Sequence, residues 1–354
     1  MDRRCDRQRW VLTATALVAL AAVAGCPGKR DPTWRARPDE SIRATAEHPD
    51  VVAAKRRWER SHTVAARVAL GQAYLDHGEP LKAYREFQAA LGMDEHNVGA
   101  LLGMGRLYTD VGDYDSAVEA YKAALAGEPD NEMALNSLGF VYFSRGQLDE
   151  AAEQFERVIE INPHSVAPRL ALGTTYLRAQ KIDQAARTYR VALTVAPDSS
   201  KLHVNYGHTW EIKGELGKAE DEYREALDLD PRDDGAKNNL AYALALQHRS
   251  LPEALRLASE AVASQPDVAA FRDTRGWVLF QMKRNQDAVA ELQTAAGMRS
   301  ASPAVHYHLG IVYQELQRSD EAIKELEIAR QDLRFAEDAA ERIRELESKA
   351  SPSI

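Results

Sequence analysis

The residues of this chain that could carry chemistry are few, and their spacing argues against a reactive site. His306 and His308 could ligate a metal ion, but residues two apart on a helix point to different faces, and no third ligand follows at a suitable distance. Gly103-x-Gly105 is part of a dinucleotide-binding pattern, yet Tyr108 stands where the third glycine belongs and no strand is predicted before it. We therefore predict no metal site and no cofactor.

Catalytic motifs give no stronger signal. The sequence contains no nucleophile elbow, no Walker loop and no His-Glu-x-x-His zinc motif. Adjacent carboxylates such as Asp149 and Glu150 fall at turns and helix starts, where the helix dipole favours negative charge. These observations predict a non-catalytic protein with no small-molecule substrate.

Composition narrows the fold class and the partners. The 354 residues are 45% hydrophobic and 28% charged, which suffices for a sizeable buried core. Aromatic residues make up only 7%, whereas alanine, leucine, glutamate and arginine abound, as in helical proteins. The net charge of −9, without a concentrated basic segment, argues against nucleic-acid binding. The two cysteines, Cys5 and Cys26, cannot build a disulfide framework.

The N-terminal segment predicts export. Four arginines precede an uncharged stretch over residues 10–25, which has the length of a secretory signal and is short for a membrane span of about 20 residues. The stretch ends in Val23-Ala24-Gly25-Cys26, which resembles the lipobox of bacterial lipoproteins. The resemblance implies cleavage before Cys26 and acylation of that cysteine with palmitate-type chains. We therefore expect residues 1–25 to be a lipoprotein signal peptide and the mature chain to be anchored to a membrane through Cys26.

The segment after the lipobox predicts a spacer. Residues 26–50 are rich in proline and show no sustained apolar period, so we expect a flexible linker followed by a leading helix over residues 51–63. The expected location is the bacterial cell envelope. Pro27 stands where an aspartate would retain lipoproteins in the inner membrane of some diderms, which favours the periplasmic face of the outer membrane.

A 34-residue period runs through the rest of the chain. Small residues recur at one slot, alanines at a second and prolines at a third, and each series contains a single interval of 35 residues. Such self-similarity is the signature of a repeat architecture, in which stacked units bury a continuous core. The three series are Gly71, Gly105, Gly139, Gly173, Gly207, Ala241, Gly276 and Gly310; Ala83, Ala117, Ala151, Ala185, Ala219, Ala254, Ala288 and Ala322; and Pro129, Pro163, Pro197, Pro231 and Pro266.

Two segments carry the residues of a known family. Leu70-Gly71-x-x-Tyr74 and Leu138-Gly139-x-x-Tyr142 are each followed by an alanine and a phenylalanine at the spacing of tetratricopeptide repeats, so the chain is similar to that family. The resemblance implies an all-α fold, a right-handed superhelical solenoid of about eight helix-turn-helix repeats with a C-terminal capping helix. The capping helix is predicted from an apolar stripe between Asp332 and Ser348 that includes Leu333. The expected repeats are 64–97, 98–131, 132–165, 166–199, 200–233, 234–268, 269–302 and 303–336, with the capping helix and tail at 337–354.

The resemblance also implies a binding surface. In this family a concave groove is lined mainly by the second, fifth, ninth and twelfth positions of each first helix, and sometimes by the sixth. In this chain those positions hold mostly aromatic and amide side chains, which would suit an extended or helical peptide. The expected lining residues are Asn136, Phe140, Phe143, Asn205, His208, Asn238, Asn239, Tyr242, Trp277, Phe280, His308 and Gln314.

The function favoured by these patterns is a lipid-anchored scaffold that recruits or positions other proteins of a bacterial envelope assembly. Three alternatives stay open. The lipobox followed by repeats resembles pilotin-type lipoproteins, which serve type IV pilus secretin assembly. A cytoplasmic co-chaperone-like adaptor is the second alternative, and an enzyme with a cryptic site in the concave groove is the third.

Overall fold

The computed structural model describes residues 47–350, and the side chains of residues 47–348. The predicted signal peptide, the lipidation site Cys26 and the linker up to residue 46 lie outside the described residues. Within the described range the chain folds into eighteen helices and no strand. None of these helices is both long and apolar enough to cross a bilayer.

The helices are α1 (Pro49–Ser61), α2 (Val64–Asp76), α3 (Pro80–Met93), α4 (Val98–Asp110), α5 (Tyr114–Gly127), α6 (Glu132–Arg145), α7 (Leu148–Ile161), α8 (Ala167–Arg178), α9 (Ile182–Val195), α10 (Ser200–Ile212), α11 (Leu216–Leu229), α12 (Asp234–Leu246), α13 (Leu251–Ser264), α14 (Ala269–Gln281), α15 (Asn285–Ala296), α16 (Pro303–Glu315), α17 (Ser319–Ala329) and α18 (Ala336–Ala350).

The chain divides into two compact units between Lys181 and Ile182. In the first unit, α2 pairs with α3, α4 with α5 and α6 with α7, and each second helix also packs against the first helix of the next pair. The second unit repeats this arrangement from α10 to α17. Each helix of a pair is too short to bury its apolar face alone, so pairing and stacking supply most of its stability.

The small residues of the first series allow close contact between the two helices of a pair. A Cβ at Gly139 would lie 2.7 Å from the Phe155 ring, well inside van der Waals contact. A Cβ at Gly71 would lie 2.7 Å from Phe87, and the same ring would lie 2.4 Å from a Cβ at Gly103 in the next pair. The aromatic side chain therefore fills the space between two glycine-bearing helices.

A left-handed backbone residue links the two helices of every pair. Gly112 and Gly146 adopt φ of 77° and 78°, where a β-carbon would be strained. In four pairs the equivalent residue is not glycine, as at Gln317 with φ of 59°. The extra residue of the 35-residue interval falls in the turn between α12 and α13, where both His248 and Ser250 have positive φ.

The repeated prolines end the second helices. Pro129 lies two residues after the end of α5, and Pro163 lies two residues after the end of α7. Proline lacks an amide hydrogen and disfavours helical backbone in the preceding residue, so it prevents the helix from continuing.

The capping helix begins later than the sequence predicted. Asp332 does not start the helix, because its carboxylate accepts a hydrogen bond from the Arg334 amide (2.9 Å) and holds a turn. Leu333 is 95% exposed, so its assignment to the apolar stripe was wrong. Phe335 is buried instead and stacks on Tyr307 with ring centroids 4.7 Å apart. From Ala336 onward, Ala339, Ile343 and Leu346 cover the last helix pair as predicted for a cap.

Candidate functional site

The predicted lining residues of the first unit are accessible. Phe140 on α6 is 48% exposed, and its ring packs edge-on against Phe155 with centroids 5.2 Å apart. Asn136 and Phe143, on the same helix, are half-buried. The Arg178 guanidinium lies 4.7 Å from the centre of the Phe143 ring and donates a hydrogen bond to the Phe143 carbonyl (2.9 Å). This part of the face offers apolar area beside a positive charge.

The corresponding residues of the second unit are mostly buried. His208, Asn238, Asn239, Tyr242, Trp277 and His308 are all solvent-excluded. The remaining three predicted residues, Asn205, Phe280 and Gln314, are half-buried, and two of them form hydrogen bonds within the fold. Asn205 donates to the Lys201 carbonyl (2.7 Å), and Gln314 accepts from Arg342 on α18 (2.9 Å). Phe280 is half-buried beside Trp277, with ring centroids 5.3 Å apart.

His308 is the centre of the buried group. Its Nδ1 lies 2.8 Å from Oδ1 of Asp273, and both side chains are fully buried. The Trp277 indole on α14 stacks on the imidazole with ring centroids 4.4 Å apart, and the Tyr242 ring on α12 lies 6.2 Å from the imidazole. The structure thus brings together three predicted residues from α12, α14 and α16.

Sequence reasoning missed Asp273 and the adjacent Thr274. They occupy the fifth and sixth positions of α14, and Asn238 and Asn239 were predicted as lining residues because they occupy the same two positions of α12. Consistent use of that rule would have included them. We define the first-helix face of the second unit as His208, Glu211, Asn238, Asp273, Thr274, Trp277, Phe280 and His308.

The first-helix face carries polar atoms that lack partners. A buried polar atom without a hydrogen bond costs about 1–3 kcal/mol, and native proteins contain few of them. Seven such atoms lie on four successive first helices of the second unit. Among the described residues, the buried atoms of this face that lack a hydrogen-bond partner are His208 Nδ1, Glu211 Oε1, Asn238 Oδ1, Asp273 Oδ2, Thr274 Oγ1, Trp277 Nε1 and His308 Nε2.

Burial also changes the charge of this face. It raises the pKa of Glu211 to about 8, although the Tyr223 hydroxyl, which donates to Oε2 (2.9 Å), opposes that shift. It lowers the pKa of His208 to about 4. At neutral pH the Glu211 carboxyl is therefore mostly protonated and the His208 imidazole is neutral, so neither side chain carries a full charge.

The family models agree with the geometry. A tetratricopeptide repeat model matches residues 102–166, 213–269 and 274–340, and a second one matches residues 142–203. The chain belongs to the tetratricopeptide repeat family. Its fold is that of a protein–protein interaction scaffold, and members of the family are typically non-catalytic.

Three solved structures are similar to parts of the chain. A tetratricopeptide repeat protein from Parabacteroides merdae is similar with a TM-score of 0.59 and 16% identity, over 71% of this chain and 99% of that one. MamA from Desulfovibrio magneticus has a TM-score of 0.45 and 22% identity, over 48% of this chain and 97% of that one. TTC0263, a thermophilic tetratricopeptide repeat protein of Thermus thermophilus, has a TM-score of 0.42 and 23% identity, over 52% of this chain and 99% of that one. No curated protein sequence matches the chain.

Proposed function

We propose that this protein is a lipid-anchored scaffold of the bacterial envelope that binds a segment of another polypeptide along its first helices. The observation that carries the binding half is the set of buried, unpartnered polar atoms on the first-helix face. Membership of a family built for protein interaction supports it.

The mixture of unpartnered groups favours a polypeptide over other ligands. Trp277 Nε1 can only donate, whereas Asp273 Oδ2 and Asn238 Oδ1 accept. A peptide backbone offers both N–H and C=O groups at regular intervals, so one extended segment would satisfy donors and acceptors on successive helices. The Trp277 and Phe280 rings would supply apolar contact beside these bonds.

A pair of conservative variants tests the binding half. Thr274→Val removes an unpartnered polar atom and keeps the shape of the side chain, so its thermal stability should hold or rise. Trp277→Phe removes Nε1–H and also shortens a buried ring, so it should lose some thermal stability while staying folded. Recovery of partner proteins with the full-length chain from membranes should fall for both variants. Val191→Ala, a change at an exposed residue of α9, is the matched control and should recover the wild-type set. Unchanged recovery by both variants would contradict binding at this face.

The anchoring half rests on the sequence around Cys26, where Val23-Ala24-Gly25-Cys26 resembles a lipobox. Acyl chains on Cys26 would hold the chain at a membrane, since two or more chains give stable anchoring. The mature chain would carry 41 basic and 52 acidic side chains, so anionic headgroups would not attract its surface. We assign the protein to the periplasmic face of the outer membrane in a diderm cell.

Metabolic labelling with a palmitate analogue tests the anchor. The wild-type chain should take up label and fractionate with outer membranes, whereas Cys26→Ala should do neither. Cys5→Ala, which lies within the predicted signal peptide, is the control and should label like wild type. Equal labelling of wild type and Cys26→Ala, or a mature N-terminus other than Cys26, would refute the proposal.

A further inference from the structure

Two histidines and an aspartate meet where the repeats begin. His48 is the N-cap of α1, and Asp50 lies in the first turn of that helix. His77 is the C-cap of α2, the helix packed against α1. All three side chains are exposed, so an ion in solution can reach them.

The spacing of the three side chains is that of metal ligands. Asp50 Oδ2 lies 3.3 Å from His48 Nδ1 and 3.4 Å from His77 Nε2, and the three ligand atoms all lie within 4.8 Å of one another. Neighbouring ligands on a tetrahedral zinc ion with bonds of about 2.0–2.1 Å are about 3.3–3.4 Å apart. A charge-assisted hydrogen bond would be shorter, at about 2.7–2.9 Å.

The two imidazole rings are stacked. Their centroids lie 3.6 Å apart and their planes differ by 28°. The amide of Asp50 donates to His48 Nδ1 only weakly, at 3.4 Å, so the nitrogen lone pair is given up to a metal at little cost. Each ring nitrogen presents its lone pair in the plane of its own ring, so the stacked rings must turn about their side-chain bonds for both nitrogens and the carboxylate oxygen to reach one ion.

Nearby charge does not oppose the ion strongly. Two lysines approach this end of the unit, but Lys55 is paired with Glu47 and Lys82 with Glu79. The positive end of the α1 dipole disfavours a cation by less than about 1 kcal/mol, and the Asp50 carboxylate offsets it. Imidazole nitrogen and carboxylate oxygen together suit zinc and similar divalent transition metals better than calcium or magnesium.

We propose that His48, Asp50 and His77 bind one divalent transition-metal ion of the zinc class, with the fourth position taken by water. The ion would join the start of α1 to the end of α2, at the point where the predicted linker enters the repeats. This site could not be predicted from sequence spacing, because His77 is separated from Asp50 by 27 positions along the chain.

Calorimetric titration of zinc into the full chain, isolated without a polyhistidine tag and stripped with a chelator, tests the proposal. One ion per chain should bind, and His77→Ala and Asp50→Asn should each weaken binding at least tenfold. His96→Ala removes a histidine whose side chain is 86% exposed and pairs with Glu95, away from the three ligands, so it should bind as wild type does. Cobalt bound in place of zinc should give the visible absorption of a tetrahedral site, and His77→Ala should lose it.

A second readout separates a site from loose surface binding. Zinc should slow amide hydrogen exchange in α1 of wild type and of His96→Ala, but not in α1 of His77→Ala. The proposal is overturned if wild type binds no zinc, or if His77→Ala and Asp50→Asn bind it as tightly as His96→Ala does.

Discussion

The close contact between Gly139 and Phe155 gives the sharpest test of the repeat packing. An alanine Cβ at Gly139 would lie 2.7 Å from Cε1 and 2.9 Å from Cζ of the Phe155 ring, which is fully buried. The ring also packs against Phe140, so it has little room to move. Overpacking of this kind costs about 1–3 kcal/mol. Alanine gains about 0.5–1 kcal/mol over glycine inside a helix, so the net loss should be about 1 kcal/mol and at most about 2.5 kcal/mol.

Native-state hydrogen exchange measures this loss locally, as the opening free energy of α6 and α7. Gly92→Ala is the matched control, because a Cβ there meets nothing within 4 Å, and it should be neutral or stabilising by up to about 1 kcal/mol. In a Phe155→Ala background the added methyl enters the space left by the ring, so Gly139→Ala should then cost little. The reasoning fails if Gly139→Ala leaves α6 and α7 as stable as in wild type.

Three further predictions use single sites of the second unit. Gln317→Gly should stabilise by about 1 kcal/mol in thermal unfolding, because φ of 59° is strained for a β-carbon; a loss would contradict this. In wild type, the free energy of unfolding should fall between about pH 4.5 and 8 by at most about 1.4 kcal/mol per pH unit, because folded Glu211 keeps a proton that the unfolded chain loses. Glu211→Gln should remove this fall in urea titrations, and an unchanged pH profile would contradict the prediction. Phe335→Ala should lower the free energy of unfolding by about 3–5 kcal/mol, whereas Leu333→Ala should stay within about 0.5 kcal/mol of wild type. Equal losses would show that Phe335 does not pack under the capping helix as described.

The sequence predicted the all-helical repeat fold because the constraints recur. A small residue recurs where the two helices of each pair come into close contact, and a proline recurs after many of the second helices. Gly139 and Pro163 are therefore single members of series that repeat every 34 residues. The start of the capping helix has no such repetition. Hydrophobicity alone favoured Leu333, whereas the Asp332 turn sends Phe335 inward instead.

The candidate site was predictable only by position. The positional rule for first helices selected His308 and Trp277. It could not predict how deeply they are buried or that Asp273 pairs with the His308 imidazole, because burial and pairing depend on how closely α12, α14 and α16 approach one another. Whether these side chains bind a peptide stays a prediction. The group of His48, Asp50 and His77 depends on the packing of α1 against α2, which no periodic pattern in the sequence describes.

Site-specific photocrosslinking in cells tests the central claim most directly. A photoreactive phenylalanine at Phe280, which is half-buried beside Trp277, should form a discrete adduct with one polypeptide, and Thr274→Val should weaken that adduct. The same probe at Val191, exposed on a second helix of the same unit, should form no such adduct. Identical adducts from both positions, or an adduct at Phe280 that Thr274→Val leaves unchanged, would contradict a polypeptide-binding first-helix face.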